Sequence, residues 1–281
     1  MPRIRIITDT TASLPAGFAA AHQVEVVPQV IIFGAQSLKE DLEITPAEFV
    51  RRLTTAPDLP KTAAPEPGWF VEAYRRQLAE AETILSLHPS SEVSGTVRSA
   101  LTARDSGFPA ADIRIIDTRT LGGNLGALVQ QAVAWAAAGL EADEIVSRLR
   151  ALIPRARTYF LVPTLEYLRR GGRIGGAQAL LGGVLQIKPI LELRDGRVEA
   201  LERVRSHHRA LQRLKELSLE RCPRSPEARL SVMHAADEAE AARLAADLGR
   251  TLGLAELPLY TLGAAITTHA GPGSLAVGFF E

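Results

Sequence analysis

The stretch TILSLHPSSEVSGTVRSALTARDSGFPAADIRIIDTRTLGGNLGALVQQAVAWAAAG, residues 83–139, decides the fold class. Two short β-type runs, Thr83–Leu87 and Ile113–Ile116, each break into polar residues and then into a helical pattern, Thr96–Asp105 after the first and Leu121–Ala138 after the second. Strand, polar turn and helix in repetition predict parallel strands joined by crossover helices. Gly139 stands where a C-cap glycine would stop the second helix. Toward the N-terminus the same alternation gives a strand at Arg3–Ile7 and a helix at Pro15–His22 with Pro15 in its first turn. An extended, edge-like run follows at Val24–Phe33, interrupted by Pro28, and then helices at Pro46–Leu53 and Pro67–Glu80. Toward the C-terminus a helix at Ala142–Leu152 ends before Pro154 and a strand follows at Thr158–Val162.

Beyond that strand the texture changes. RRGGRIGGAQALLGG carries six glycines in two short helical pieces, as closely packed backbone or a hinge requires. KPILEL and RVEALERV flank Asp195-Gly196, a favoured two-residue hairpin turn. A helix, a strand at Arg229–His234, a helix at Glu238–Leu252, a strand at Leu257–Leu262 and a glycine-rich turn before a last strand complete the pattern. A boundary near residue 160 divides the chain into an N-terminal α/β domain with a mostly parallel, Rossmann-like sheet (1–160) and a smaller mixed α/β domain (161–281). No flexible linker separates them, so they should share a fixed interface, and such clefts favour ligands.

Composition narrows the function. The chain has 281 residues, 46% hydrophobic, and its 32 Lys+Arg balance 32 Asp+Glu. Zero net charge gives no global field to gather nucleic acid or an anionic membrane surface. The single cysteine, Cys222, can form no internal disulfide. The N-terminal residues read as a strand rather than as the apolar core of a signal peptide. The most apolar stretches, 124–140 and 174–191, are broken by glutamines, or by Lys188 and glycines, and so fall short of the ~20 apolar residues of a spanning helix. A cytoplasmic location is the expectation.

Three polar clusters follow strands of the first half, where parallel sheets bind ligands. Thr8–Ser13 reads foremost as a turn and cap. Ser90–Thr96 runs into a helix, so it serves equally as a plain serine cap or as an anion site at free backbone N–H groups. Asp117–Gly123 tempts a dinucleotide reading, with Glu141 about twenty residues on. Asn124 falls where the second fingerprint glycine should stand, and Glu141 starts a helix instead of ending a strand. No phosphate loop occurs, neither Ser94 nor Ser274 sits in G-x-S-x-G, and neither H-E-x-x-H nor a thiolate-rich zinc spacing is present. Neither a catalytic residue nor a metal ligand is therefore assigned. His207 and His208, adjacent on a helical pattern, point different ways, and most histidines read as surface or strand-end residues. His269 is the exception, in a glycine-rich turn that can press an imidazole against a ligand. Arg203–Arg224, mostly helical, has seven basic and two acidic residues, which suits a solvated face or docking to an acidic or phosphorylated partner.

TDTTASLP, PKTAAPEP around Thr62, PSSEVSGT, IIDTRTLGGNLG, PTLEYLRRGGRIG, LQIKPIL and HAGPGSLAVGFF occur in this order across nearly the whole chain. Together they resemble the DegV family of bacterial fatty-acid-binding proteins. The resemblance implies two α/β domains with a long-chain fatty acid between them, its tail in a tunnel and its carboxylate at the domain junction. It implies no other cofactor. It also implies a lipid-binding subunit, itself no enzyme, that acts with a separate ATP-dependent fatty acid kinase subunit whose acyl phosphate product feeds phospholipid synthesis. By motif, Thr62 and Ser94 would hold the carboxylate with His269 beside it, and Arg173 and Arg205 would serve the head group or the kinase interface, Arg203 being an alternative for the latter. The chain departs from the family pattern at Ala63, where a serine is usual, and at Glu92, where glycine is usual and an outward side chain is expected. The competing reading is a small-molecule kinase or reductase on a related α/β scaffold.

Overall fold

The computed structural model describes residues 3–56, 58–181, 188–254 and 256–281. Residues 182–187, which close the glycine-rich run and open the LQIKPIL motif, lie outside the described residues. β1 (Ile4–Asp9) leads to a single helical turn, α1 (Phe18–Ala21), shorter than the predicted helix from Pro15. Gly17 takes a left-handed φ of 76° as the N-cap, so Pro15 belongs to the preceding turn, where its carbonyl accepts Phe18 N–H at 3.1 Å. The extended run splits at Pro28 into β2 (Glu25–Val27) and β3 (Val30–Phe33), which join different sheets. β4 (Gln36–Lys39), α2 (Pro46–Thr55) and β5 (Lys61–Ala63) follow. The small antiparallel sheet β4-β3-β5 is absent from the sequence reading, because strands of three or four residues carry too little alternation to register.

α3 (Pro67–Leu78), β6 (Thr83–His88), α4 (Thr96–Gly107), β7 (Asp112–Asp117), α5 (Gly122–Ala137) and α6 (Ala142–Leu152) complete the expected alternation. The parallel sheet runs β2-β1-β6-β7. Its strands bury side chains on both faces, as a parallel sheet flanked by helices must, and β6 is buried at every position. Ile7, Ile84 and Ile113 pack with Phe70, Tyr74 and Ala103 of α3 and α4, whereas Ile6, Leu85 and Leu87 pack with α5 and α6.

The remaining elements are β8 (Ala156–Leu161), α7 (Glu166–Arg170), β9 (Lys188–Arg194), β10 (Arg197–Val204), α8 (His207–Arg221), β11 (Ser231–His234), α9 (Glu238–Leu252), β12 (Leu259–Thr261), α10 (Ala264–Ala270) and β13 (Leu275–Phe280). They form a six-stranded sheet, β10-β9-β8-β13-β11-β12, antiparallel except for the β11–β12 pair. Asp195 and Gly196 turn the β9–β10 hairpin with φ of 50° and 79°. Alternation again separates two faces: Tyr159, Leu161, Val232 and Val277 pack with α8 and α9, while Phe160, Met233 and Ala276 form a different cluster. α5 packs against both large sheets. The glycines of GGNLG permit this approach: a Cβ at Gly126 would lie 2.4 Å from the Ala12 carbonyl oxygen, and one at Gly123 would lie 2.8 Å from Ser231 Oγ. Close packing thus accounts for the motif that resembled a dinucleotide fingerprint. Among the described residues no helix is long and apolar enough to cross a membrane.

Candidate functional site

A cavity lies where the three sheets meet, enclosing about 1020 Å³ of empty space counting its open mouth. Its apolar lining includes Phe160, Leu193, Met233, Leu262, Ile266 and Ala276. Its polar lining includes Thr11, Gln29, Thr62, Ser94, Arg173 and His269. Thr62 projects from the edge strand β5, Ser94 precedes α4, Arg173 follows α7 in the glycine-rich run, and His269 belongs to α10. Four segments that are distant in sequence thus meet at one cavity.

His269 corrects the sequence reading. It sits in the last turn of a seven-residue helix capped by Gly263, and the glycine turn begins only at Gly271. Two adjacent β-branched threonines, Thr267 and Thr268, mask the helical character of AAITTHA. The imidazole Nε2 lies 2.8 Å from Thr62 Oγ1. Burial, with the Arg173 charge nearby, pushes the His269 pKa down to about 4, so the ring is neutral at pH 7. Its Nδ1 is buried without a partner among the described residues, against Gly171, where a Cβ would stand 2.1 Å from it. Leaving a lone pair unpaired costs less than leaving an N–H unpaired. The proton therefore resides on Nε2 and is donated to Thr62, which leaves the Thr62 hydroxyl free to donate elsewhere.

Arg173 is half-buried; its Nε donates to Val93 O at 3.0 Å and its Nη1 to Gly171 O at 2.7 Å. Burial lowers its pKa. Behind Ser94 lies a buried polar network. Ser94 Oγ is 2.8 Å from Thr96 Oγ1, which receives Gln29 Nε2–H at 2.9 Å, and Gln29 Nε2 also donates to Asp9 Oδ1 at 3.0 Å. Asp9 Oδ2 is paired with His88 Nδ1 at 2.8 Å, and His88 Nε2 with Ser86 Oγ at 2.7 Å. The sequence reading of Asp9 as a cap holds, since it accepts Thr11 N–H at 3.0 Å, but the same carboxylate anchors the network. His88 is a strand-end residue as read, yet fully buried. Thr11 and Thr96 fall within the polar clusters Thr8–Ser13 and Ser90–Thr96, whose spacing cannot be told from turn chemistry, whereas nothing in the sequence points to Gln29.

Arg205 does not join this group. It is exposed between β10 and α8 and does not line the cavity. In the basic segment, Arg213 is paired with Glu202, Glu216 and Glu220, Lys215 with Asp247, and Arg221 with Glu281, which neutralises much of the surplus read from sequence. Glu92 points away from the cavity into ion pairs with Arg119 and Arg197, which hold its pKa below the usual carboxylate range.

A family model described as uncharacterised protein, DegV family, matches residues 3–281. The chain belongs to the DegV family. A DegV domain-containing protein of Streptomyces coelicolor is 40% identical over 278 residues, covering 98% of this chain and 97% of that one. A DegV family protein from Thermus thermophilus, described for its fatty acid binding, superposes with a TM-score of 0.93 at 34% identity, covering 99% of each chain. DegV from Bacillus subtilis, described as a fatty acid binding protein, gives a TM-score of 0.88 at 28% identity over 100% of both chains. The arrangement of sheets and helices described above is thus the DegV fold, and Thr62, Ser94, Arg173 and His269 of this DegV chain line one cavity.

Proposed function

We propose that this DegV protein binds a long-chain fatty acid and presents it to a separate ATP-dependent kinase subunit, which forms an acyl phosphate for phospholipid synthesis. The tail occupies the apolar part of the cavity and the carboxylate is held by Thr62 and Ser94, with His269 beside it and Arg173 supplying positive charge. One observation carries this reading: hydroxyls, a neutral imidazole and an arginine from four separate segments converge on a largely apolar cavity. Solved relatives whose described ligand is a fatty acid support it.

The physics agrees. Burying ~15 methylenes at ~0.8 kcal/mol each offers ~12 kcal/mol before several kcal/mol are lost in ordering the ligand. Most of the affinity then comes from the tail, and the head-group bonds, worth a few kcal/mol, chiefly set orientation. Thr62, Ser94 and Arg173 are only half-buried, so a carboxylate beside them stays within reach of a partner's active site. The exposed Arg205 suits that partner's docking surface. Such a role asks for no nucleophile on this chain, which acts as a binding subunit. Native mass spectrometry tests the reading: the purified or palmitate-loaded protein should carry a noncovalent adduct of fatty-acid mass. Delipidated protein that takes up no long-chain acid overturns it.

A further inference from the structure

We propose that Gln29, held by Asp9, is a positioning residue that fixes the direction of the hydroxyl chain ending at Ser94 and so makes the site prefer a carboxylate to an uncharged head group; the inference rests on the fatty-acid reading above. The argument is one of donors and acceptors. Asp9 Oδ1 accepts Thr11 N–H at 3.0 Å, so the end of Gln29 facing that oxygen must be its NH₂ group, at 3.0 Å. The second amide N–H of Gln29 is then committed to Thr96 Oγ1 at 2.9 Å. Thr96 is fully buried and Ser94 Oγ, at 2.8 Å, is the one acceptor for its hydroxyl proton among the described residues, so the Thr96 hydroxyl donates onward to Ser94, and Thr96 N–H points to the same oxygen at 3.3 Å. Ser94 Oγ therefore receives two donors, and its own proton is left for the cavity. A carboxylate can only accept, so it meets the donor it requires.

Gln29 is well placed to impose this order. Its side chain lines the cavity, only 3% of the residue is exposed, and its backbone is pinned on both sides by Thr10 Oγ1 at 3.1 Å and Glu40 N–H at 2.9 Å. Asp9 and Thr96 are fully buried, so water cannot substitute for either partner.

Gln29→Glu reverses the chain. The introduced carboxyl, protonated beside Asp9, would donate to Asp9 and accept from Thr96, Thr96 would then accept from Ser94, and Ser94 would turn lone pairs toward the ligand. A fatty alcohol can answer with its own O–H; a carboxylate cannot. Palmitate and hexadecanol bury the same tail, so the ratio of their dissociation constants reports the head group and is insensitive to a general loosening of the fold. In the wild type palmitate should bind more tightly, and Gln29→Glu should reduce that preference by about tenfold or more, as the loss of one charge-assisted hydrogen bond implies. Gln29→Met, which fills the same space without amide groups, should reduce it by less. If Gln29→Glu does not fold, the ratio in Gln29→Met decides. A wild-type ratio in the folded variants overturns the inference while leaving the binding function intact. Failure of the wild type to bind palmitate overturns the function itself and this inference with it.

Discussion

Replacing Glu40 with glutamine should remove a pH dependence from the stability of this protein. Glu40 follows β4 and is only 1% exposed; one carboxyl oxygen accepts Ala265 N–H of α10 at 2.8 Å, while the other accepts from the Thr10 hydroxyl. Burial outweighs both hydrogen bonds and raises its pKa from 4.5 to about 7. Between those values the folded protein keeps a proton that the unfolded chain releases, so stability falls as pH rises through the window. At ~1.36 kcal/mol per pH unit the loss reaches about 3 kcal/mol above pH 7. Glutamine has no proton to lose, its amide oxygen can still accept from Ala265, and its NH₂ group can face Thr10 Oγ1 in place of the carboxyl oxygen that accepts there. The variant should match the wild type near pH 4.5 and exceed it by about 3 kcal/mol near pH 8. His269 contributes the opposite slope, because its folded pKa is pushed down to about 4 and stability gained from its neutral form grows as pH rises from there toward 6.5. That contribution is common to both proteins and cancels in the difference. Urea unfolding of wild type and Glu40→Gln at intervals from pH 4.5 to 8, read at constant m-value, measures it. Parallel stability curves would refute the reasoning.

Three further perturbations address the binding site and its surroundings. Ser94→Ala combined with Thr62→Val removes two hydroxyl donors, each worth ~1.5–3 kcal/mol to a charged acceptor; fatty acid affinity should drop at least about 100-fold, measured by displacement of a fluorescent fatty acid, and unchanged affinity would exclude these hydroxyls from the site. Gly171→Ala places a methyl group 2.1 Å from His269 Nδ1, so the ring must shift; a cost of ~1–3 kcal/mol in stability and a weakened Thr62 contact should appear together in thermal unfolding and binding. Arg205→Glu should leave fatty acid binding unchanged and impair phosphorylation of the bound acid by the kinase subunit; full activity in a coupled assay would reduce Arg205 to a solvated surface residue.

The sequence disclosed elements wherever local signals were strong. α6 and α9 begin and end where periodicity and caps placed them, and the Asp195-Gly196 hairpin turns at the two residues whose chemistry demands positive φ. It concealed the β4-β3-β5 sheet and the α10 helix, whose three to seven residues are too few for a period to emerge. The site divides in the same way. Thr62, Ser94, Arg173 and His269 are named through motif order, and all four line one cavity. Gln29 and the Asp9–His88 pair were not found, since the partners of this buried network lie 20 to 79 positions apart and a polar residue after a strand resembles ordinary turn chemistry until its neighbours are known.

The place of β13 in the second sheet bears on how the protein is made. β13 lies between β8 and β11, with Leu275–Phe280 paired to Ala156–Leu161 on one side and Ser231–His234 to Leu275–Gly278 on the other. On the ribosome both neighbours are synthesised before the strand that joins them, so each waits with an open hydrogen-bonding edge. Unpaired edges of this kind invite association with other chains. Pairings across more than 100 residues also close slowly. Phe160 and Met233 meet across Ala276 only once this strand has docked, so this part of the cavity lining is among the last parts of the protein to be completed.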